Sequence, residues 1–147
     1  MANIGGFGTI YQIVAHRTFP QGVTISQVAD DADPLDVPSV AINEVGMGGN
    51  GDLLVWPKAN AIILTLAVIP GSPDDDNLAA LYDANRVGRG KTSAEDVITL
   101  TCIYPNGRTV TFTDGAIIEG PPAIGVSSAG RLKTMAYKFA FENKVSS

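Results

Sequence analysis

The chain has 147 residues, 45% of them hydrophobic, with a formal charge of −5 and a pI near 4.6. That length holds one domain with a sizeable core but not two, and the acidity argues against a nucleic-acid grip built on phosphate neutralisation. No apolar run reaches the ~18–20 residues of a bilayer span; the longest, 59–70, has the length and residue types of a strand.

The opening MANIGGFGTIYQ has no basic flank and no small-residue cleavage site, so no secretory signal is expected. Strand alternation begins at Thr9 and runs to His16, then resumes through Val23, Ile25 and Gln27. A loop-rich insertion follows from Asp30 to Lys58, with DDADPLDVP at one end and GMGGNGD at the other. Neither end has the apolar content of a core. The short strand candidates SVAINEV and DLLVW between them predict an extended loop or projecting hairpin. The strand from Ala61 to Ile69 is apolar at successive positions, which predicts cover on both faces.

A helix is predicted over about 73–86. Ser72 suits the N-cap, Pro73 the first turn, and Asp75 the acid of a capping box. Asp74, Asp75 and Asp76 complement the positive end of the helix dipole. Leu78, Leu81 and Tyr82 form one stripe that must pack on a sheet, and Gly88 is the expected stop. Next, Ile98, Leu100, Cys102 and Tyr104 alternate with threonines, and Asn106-Gly107 predicts a type I′ turn into a return strand over Thr109–Thr113. AIIEGPP reads as a further short strand. At the end, Met135, Tyr137, Phe139 and Phe141 share one face of a last strand. Cys102, the single cysteine, rules out an intramolecular disulfide and reads as a buried, inert thiol. The predicted fold is mainly β, a two-sheet sandwich or barrel with one packed helix.

Motifs with catalytic or ligand-binding associations fail on context. GMGGNG matches the dinucleotide glycine spacing but leads into a strand, with no βαβ unit around it. GRGKT, 88–92, lacks the earlier glycine of a phosphate-binding loop and follows a helix; basic residues there suit a helix C-terminus. DDADPLD does not keep the ligand alternation of a calcium loop. His16 is the only histidine, and no nucleophile elbow surrounds Ser127 or Ser128. Catalytic, cofactor-binding and metal-binding residues are therefore assigned to none. Charge is unevenly spread: through Leu78 there are nine acids against two bases, and from Ala79 six acids against eight bases. Such asymmetry fits a subunit whose faces meet head to tail.

Taken in order, FPQGVTISQVADDADPLDVPSVAINEVGMGGNGDLLVW, ILTLAVIPGSPDDDNLAALYDA, ITLTCIYPNGRTVTFTDGAIIEGPP and AYKFAFE cover nearly the whole chain. This succession resembles the tail tube (inner tube) protein of tailed bacteriophages, contractile-tail (myovirus) type. The resemblance implies a single tail-tube domain over 1–147, with 30–58 as its projecting insertion. It implies a non-enzymatic virion protein forming hexameric rings, stacked into a hollow tube through which DNA is ejected. Its partners would be copies of itself, the tail sheath protein, the baseplate hub or initiator, the tail terminator and a tape measure protein in the lumen. DNA would pass transiently, and no membrane is involved. The protein would be assembled in the host bacterial cytoplasm and reside in the virion tail.

Under this reading the helix covers one face of the sheet and leaves the other to line the channel. Asp30, Asp31, Asp33, Asp36, Glu44, Gly48, Gly49 and Asp52 lie on the projecting segment. Their acids would meet Arg86, Arg89, Lys91 or Arg108 of a neighbouring copy. Two alternatives stay open: a secretion-system-like tube ring or tail terminator of the same fold, and a monomeric β-sandwich that binds a ligand or another protein.

Overall fold

A computed structural model describes residues 5, 8–29 and 33–146. Its strands are β1 (Ile10–Ala15), β2 (Phe19–Ile25), β3 (Leu35–Asp36), β4 (Asn43–Met47), β5 (Leu53–Pro57), β6 (Ile62–Val68), β7 (Ile98–Ile103), β8 (Thr109–Glu119) and β9 (Met135–Ser146), with one helix, α1 (Pro73–Asn85), after β6. The fold is mainly β. Seven strands form one antiparallel sheet in the order β2-β1-β7-β8-β9-β6-β3, while among the described residues β4 and β5 pair only with each other.

Alternation decides which face of the large sheet is inside. Tyr11, Ile13 and Ala15 are buried while Ile10, Gln12 and Val14 are exposed. The register sets Tyr11 opposite Cys102, Ile13 opposite Leu100, and Ala15 opposite Ile98. On the far side Leu64, Leu66 and Val68 face Phe139, Tyr137 and Met135. These rows form one core with Leu78 and Leu81 of α1. Each helix leucine is fully buried, which contributes about 1.5–3 kcal/mol apiece.

The sheet curls until the segment after β2 reaches the end of β6. Just past β2, Val28 bridges Val68, the Ala29 amide donates to the Ala67 carbonyl (3.0 Å) and the Ile69 amide to that of Gln27 (3.1 Å). The ladder does not close into a barrel. The expectation that β6 is covered on both faces holds only at its end: on the outer face Ile63 is exposed and Thr65 half-buried, while Ala67 is buried.

The helix is anchored more tightly than dipole complementarity requires. Ser72 Oγ accepts from the Asp75 amide (3.2 Å), as an N-cap should. The Asp75 carboxylate reaches past the cap to accept from the Gly71 amide (3.0 Å) and, through its other oxygen, from the Tyr137 hydroxyl (2.9 Å). Asp74 accepts from the amides of Ser26 and Gln27, both at 2.8 Å, tying α1 to the end of β2. The helix ends at Asn85 with Arg86 extended, before the expected glycine stop at Gly88. Asn85 folds back onto the Leu81 carbonyl and turns to Asp96, which satisfies that end without a left-handed cap.

Two local expectations in the β7–β8 region are corrected. The turn is not type I′. Pro105 holds its φ negative, Gly107 alone has positive φ (89°), and its amide donates to the Tyr104 carbonyl (3.1 Å). This is a type I turn closed by a glycine bulge. The two strands read from Thr109–Thr113 and AIIEGPP are one strand, β8, with a bulge at Asp114 (φ 54°). Gly115 follows because the Phe141 ring leaves no room: a Cβ there would come within 2.2 Å of it.

Candidate assembly interface

Strands β4 and β5 stand away from this core. Their register pairs Val45 with Val55 and Met47 with Leu53 on one face, Glu44 with Trp56 and Gly46 with Leu54 on the other. Every residue of β5 is exposed, and Val45, Met47, Leu53 and Val55 are each more than half exposed. Trp56 lies over Gly46, 3.5 Å from where a Cβ would be. At the tip the Gly48 amide donates to the Asp52 carbonyl (2.8 Å), and Gly51 takes a positive φ of 87° to complete the turn. A two-stranded ribbon is marginal alone in water, and a contiguous apolar surface of this kind marks an interaction site.

The residues singled out from the sequence fall into separate groups. Asp30 and Asp31 lie outside the described residues. Asp33 is exposed ahead of β3, and Asp36 is exposed on that edge strand opposite Thr65. Glu44, Gly48, Gly49 and Asp52 all belong to the ribbon. Glu44 pairs with Lys58 of its own chain, at the ribbon's base. Among the bases, Lys91 Nζ donates to the carbonyls of Asp83 and Arg86, serving the helix C-terminus as the motif analysis anticipated. Arg86 faces Asp83 at 3.7 Å. Arg89 is exposed beyond α1, and Arg108 is exposed at the β7–β8 turn. The acids of the insertion and these four bases are thus not gathered into one cluster. What the sequence reading passed over is the apolar content of the ribbon itself. The signal was DLLVW, an apolar run without the polar alternation of a half-buried strand.

The buried acids hold structure. Asp96 accepts from the amides of Arg17 (2.9 Å) and Thr18 (3.0 Å), from the Thr18 hydroxyl, and from Asn85 Nδ2 (2.8 Å). Burial alone would raise its pKa, but these hydrogen bonds together hold the carboxyl below the usual range. His16 Nδ1 accepts from the Val97 amide (2.8 Å), so this imidazole fixes a strand start. Burial, outweighing a hydrogen bond with Tyr104 that acts the other way, pushes the Cys102 thiol up to about 11, which keeps it protonated and unreactive. Among the described residues no group of three or more His, Cys, Asp or Glu is placed to hold a metal. No described helix is long and apolar enough to cross a membrane.

Solved structures share this fold at low identity. A sheath/tube terminator of the PVC extracellular contractile injection system is 13% identical, with a TM-score of 0.55 over 100% of this chain and 98% of that one. A chain of the anti-feeding prophage baseplate is 9% identical, with a TM-score of 0.57 over 100% and 97%. A chain of the anti-feeding prophage tube-terminating cap is 12% identical, with a TM-score of 0.53 over 100% and 92%. Among curated proteins none matches in sequence. The family model for tail fiber protein gp32 matches residues 2–145, nearly the full length. The chain belongs to the tail fiber protein gp32 family.

Proposed function

We propose that the protein is the ring-forming subunit of the inner tail tube, a single tail-tube domain whose projecting insertion, 30–58, joins copies to one another. The observation that carries this reading is the β4–β5 ribbon, apolar on exposed faces and, among the described residues, joined to no larger sheet. An obligate oligomer leaves such surface on the free subunit, because its interfaces resemble a core cut in half. The large sheet adds a second feature. Its inner face is closed by α1, and its outer face, with Gln12, Thr101 and Thr111 in one cross-strand row, is open and uncharged at that row. Turned toward the axis of a hexameric ring, that row would line a channel offering DNA no cationic grip, and the one lysine of β9 on the same face, Lys138, is paired with Glu119. Exposed edges at β2 and β3 would be protected by lateral pairing on ring closure.

In this role the partners are neighbouring copies, a tail sheath, a baseplate initiator and a terminator, with a tape measure protein and then DNA in the lumen. Assembly takes place in the host cytoplasm, and no chemistry is required of the subunit. The tube terminator is the second reading, favoured by end-to-end correspondence with a sheath/tube terminator and with a tube-terminating cap.

Negative-stain electron microscopy of the purified, untagged protein at rising concentration separates them. Stacked rings with a central channel support the tube. Stable single rings that never stack would transfer the assignment to the terminator. A particle that stays monomeric at high concentration and in the presence of a baseplate nucleus would refute both.

A further inference from the structure

The ribbon has a complementary surface on the same chain. Between β8 and β9 the segment 120–134 forms a small self-contained loop. Val126 bridges Leu132, the Ser127 amide donates to the Arg131 carbonyl (2.8 Å), and the Lys133 amide donates to the Gly125 carbonyl (2.7 Å). Val126 and Leu132 are exposed, as is Ile124 beside them. The Lys133 stem lies across Gly125, so its methylenes extend the apolar patch while its charge stays at the rim. Arg131 and Lys133 are the loop's charged residues, and both are basic. On the ribbon Glu44 is paired with Lys58 at the base, and Asp52 stands exposed at the tip.

Topology sets the two patches at opposite ends of the sheet. The ribbon enters β6 at Ile62, whereas the loop delivers the chain to Met135, which pairs with Val68 at the other end of that strand. Seven residues of strand separate them, about 20 Å, so the ribbon does not reach the loop of its own subunit by folding back along β6. Two different patches, opposite in charge and at opposite ends, make a heterologous contact that propagates when copies stack.

We propose that the β4–β5 ribbon of one copy docks its Val45–Met47–Leu53–Val55 face on the Ile124–Val126–Leu132 patch of the next, with Asp52 toward Lys133. This rests on the self-assembling reading above and names the receiving surface. It also assigns the basic side of the contact to the 120–134 loop, since Lys91 is engaged at its own helix end.

The test uses Val55→Asp and Leu132→Asp in the full chain, each purified alone, checked for wild-type circular dichroism, and followed by light scattering and microscopy. Both substitutions are at exposed side chains outside the core. Lys133→Glu, exposed as well, serves as a milder second variant. Each apolar variant alone is expected to lose stacking. Mixed after purification, they are expected to give a species of twice the mass that grows no further, because the intact ribbon of Leu132→Asp meets the intact loop of Val55→Asp once. Lys133→Glu is expected to lower stacking at least tenfold at low salt. Normal stacking by either apolar variant, or a mixture no different from its components, overturns the docking while leaving the tube reading in place. A wild type that never self-associates overturns the tube reading and the docking with it.

Discussion

At the residue scale, stability depends on a few carboxylates placed where chain segments cross. Asp96 joins the β1–β2 turn, the helix end through Asn85, and the approach to β7. Its four donors all require an acceptor. In Asp96→Asn the amide group must face Asn85 Nδ2 or the backbone amides, so at least one donor meets a donor. We expect a loss of about 1–3 kcal/mol, seen as a fall in Tm of several degrees at pH 7. The pH dependence follows from the depressed pKa. Stability from this group is fully present above its unfolded value, about 3.9, and is lost as pH falls through the lower folded value. The gap in Tm between wild type and variant should therefore narrow in thermal melts below about pH 4; a gap constant down to pH 2 would contradict the assignment. Gly115 offers a packing test free of titration. Because a Cβ there would overlap Phe141 and the Ala140 carbonyl, Gly115→Ala should cost about 1–3 kcal/mol, readable as a shifted denaturant midpoint.

At the element scale, the contrast is between elements whose sequence carries its own instructions and those defined by what lies opposite. Helix α1 was legible within a residue because Ser72, Pro73 and the leucine stripe act locally, and β9 because four large residues at a spacing of two mark one face. The turn at 105–107 departs from what Asn106-Gly107 alone implies because the Pro105 ring fixes the preceding torsion. The continuity of β8 across Asp114 was not legible, since only the Phe141 ring explains Gly115. The proposed interface rests on a ribbon inside the insertion that the sequence reading assigns to subunit contact by charge. Its apolar face became visible only once β5 was seen to have no core to enter. That position has a dynamic consequence. With only each other to pair with, β4 and β5 should open locally in the free subunit. Hydrogen exchange should show amides of 43–57 exchanging far faster than those of Leu64–Val68 and Met135–Phe141, then slowing at least tenfold on assembly. Equal protection in free and assembled protein would mean that the ribbon is not buried between copies.

At the scale of the whole molecule, ionic strength sets two electrostatic effects against each other. Each copy carries −5, so packing many together accumulates repulsion over distances near the Debye length, about 10 Å at 0.1 M salt. Salt screens that term. In the proposed docking it also screens the attraction between the ribbon's Asp52 and the basic 120–134 loop, but there those groups would meet at contact distance, partly out of water, where screening is weaker. Apolar burial by the ribbon is not screened at all, and moderate salt leaves the hydrophobic term undiminished. The balance therefore favours assembly as salt rises. The critical concentration for tubes, read by light scattering, should fall between about 0.05 and 0.5 M sodium chloride, the range over which the Debye length drops well below subunit dimensions. Removing apolar contacts should act in the opposite direction and at every salt concentration, so Leu53→Ser with Val55→Ser should raise the critical concentration throughout. Tubes that dissolve as salt rises would instead mean that ion pairs, and not the ribbon's apolar face, hold the copies together.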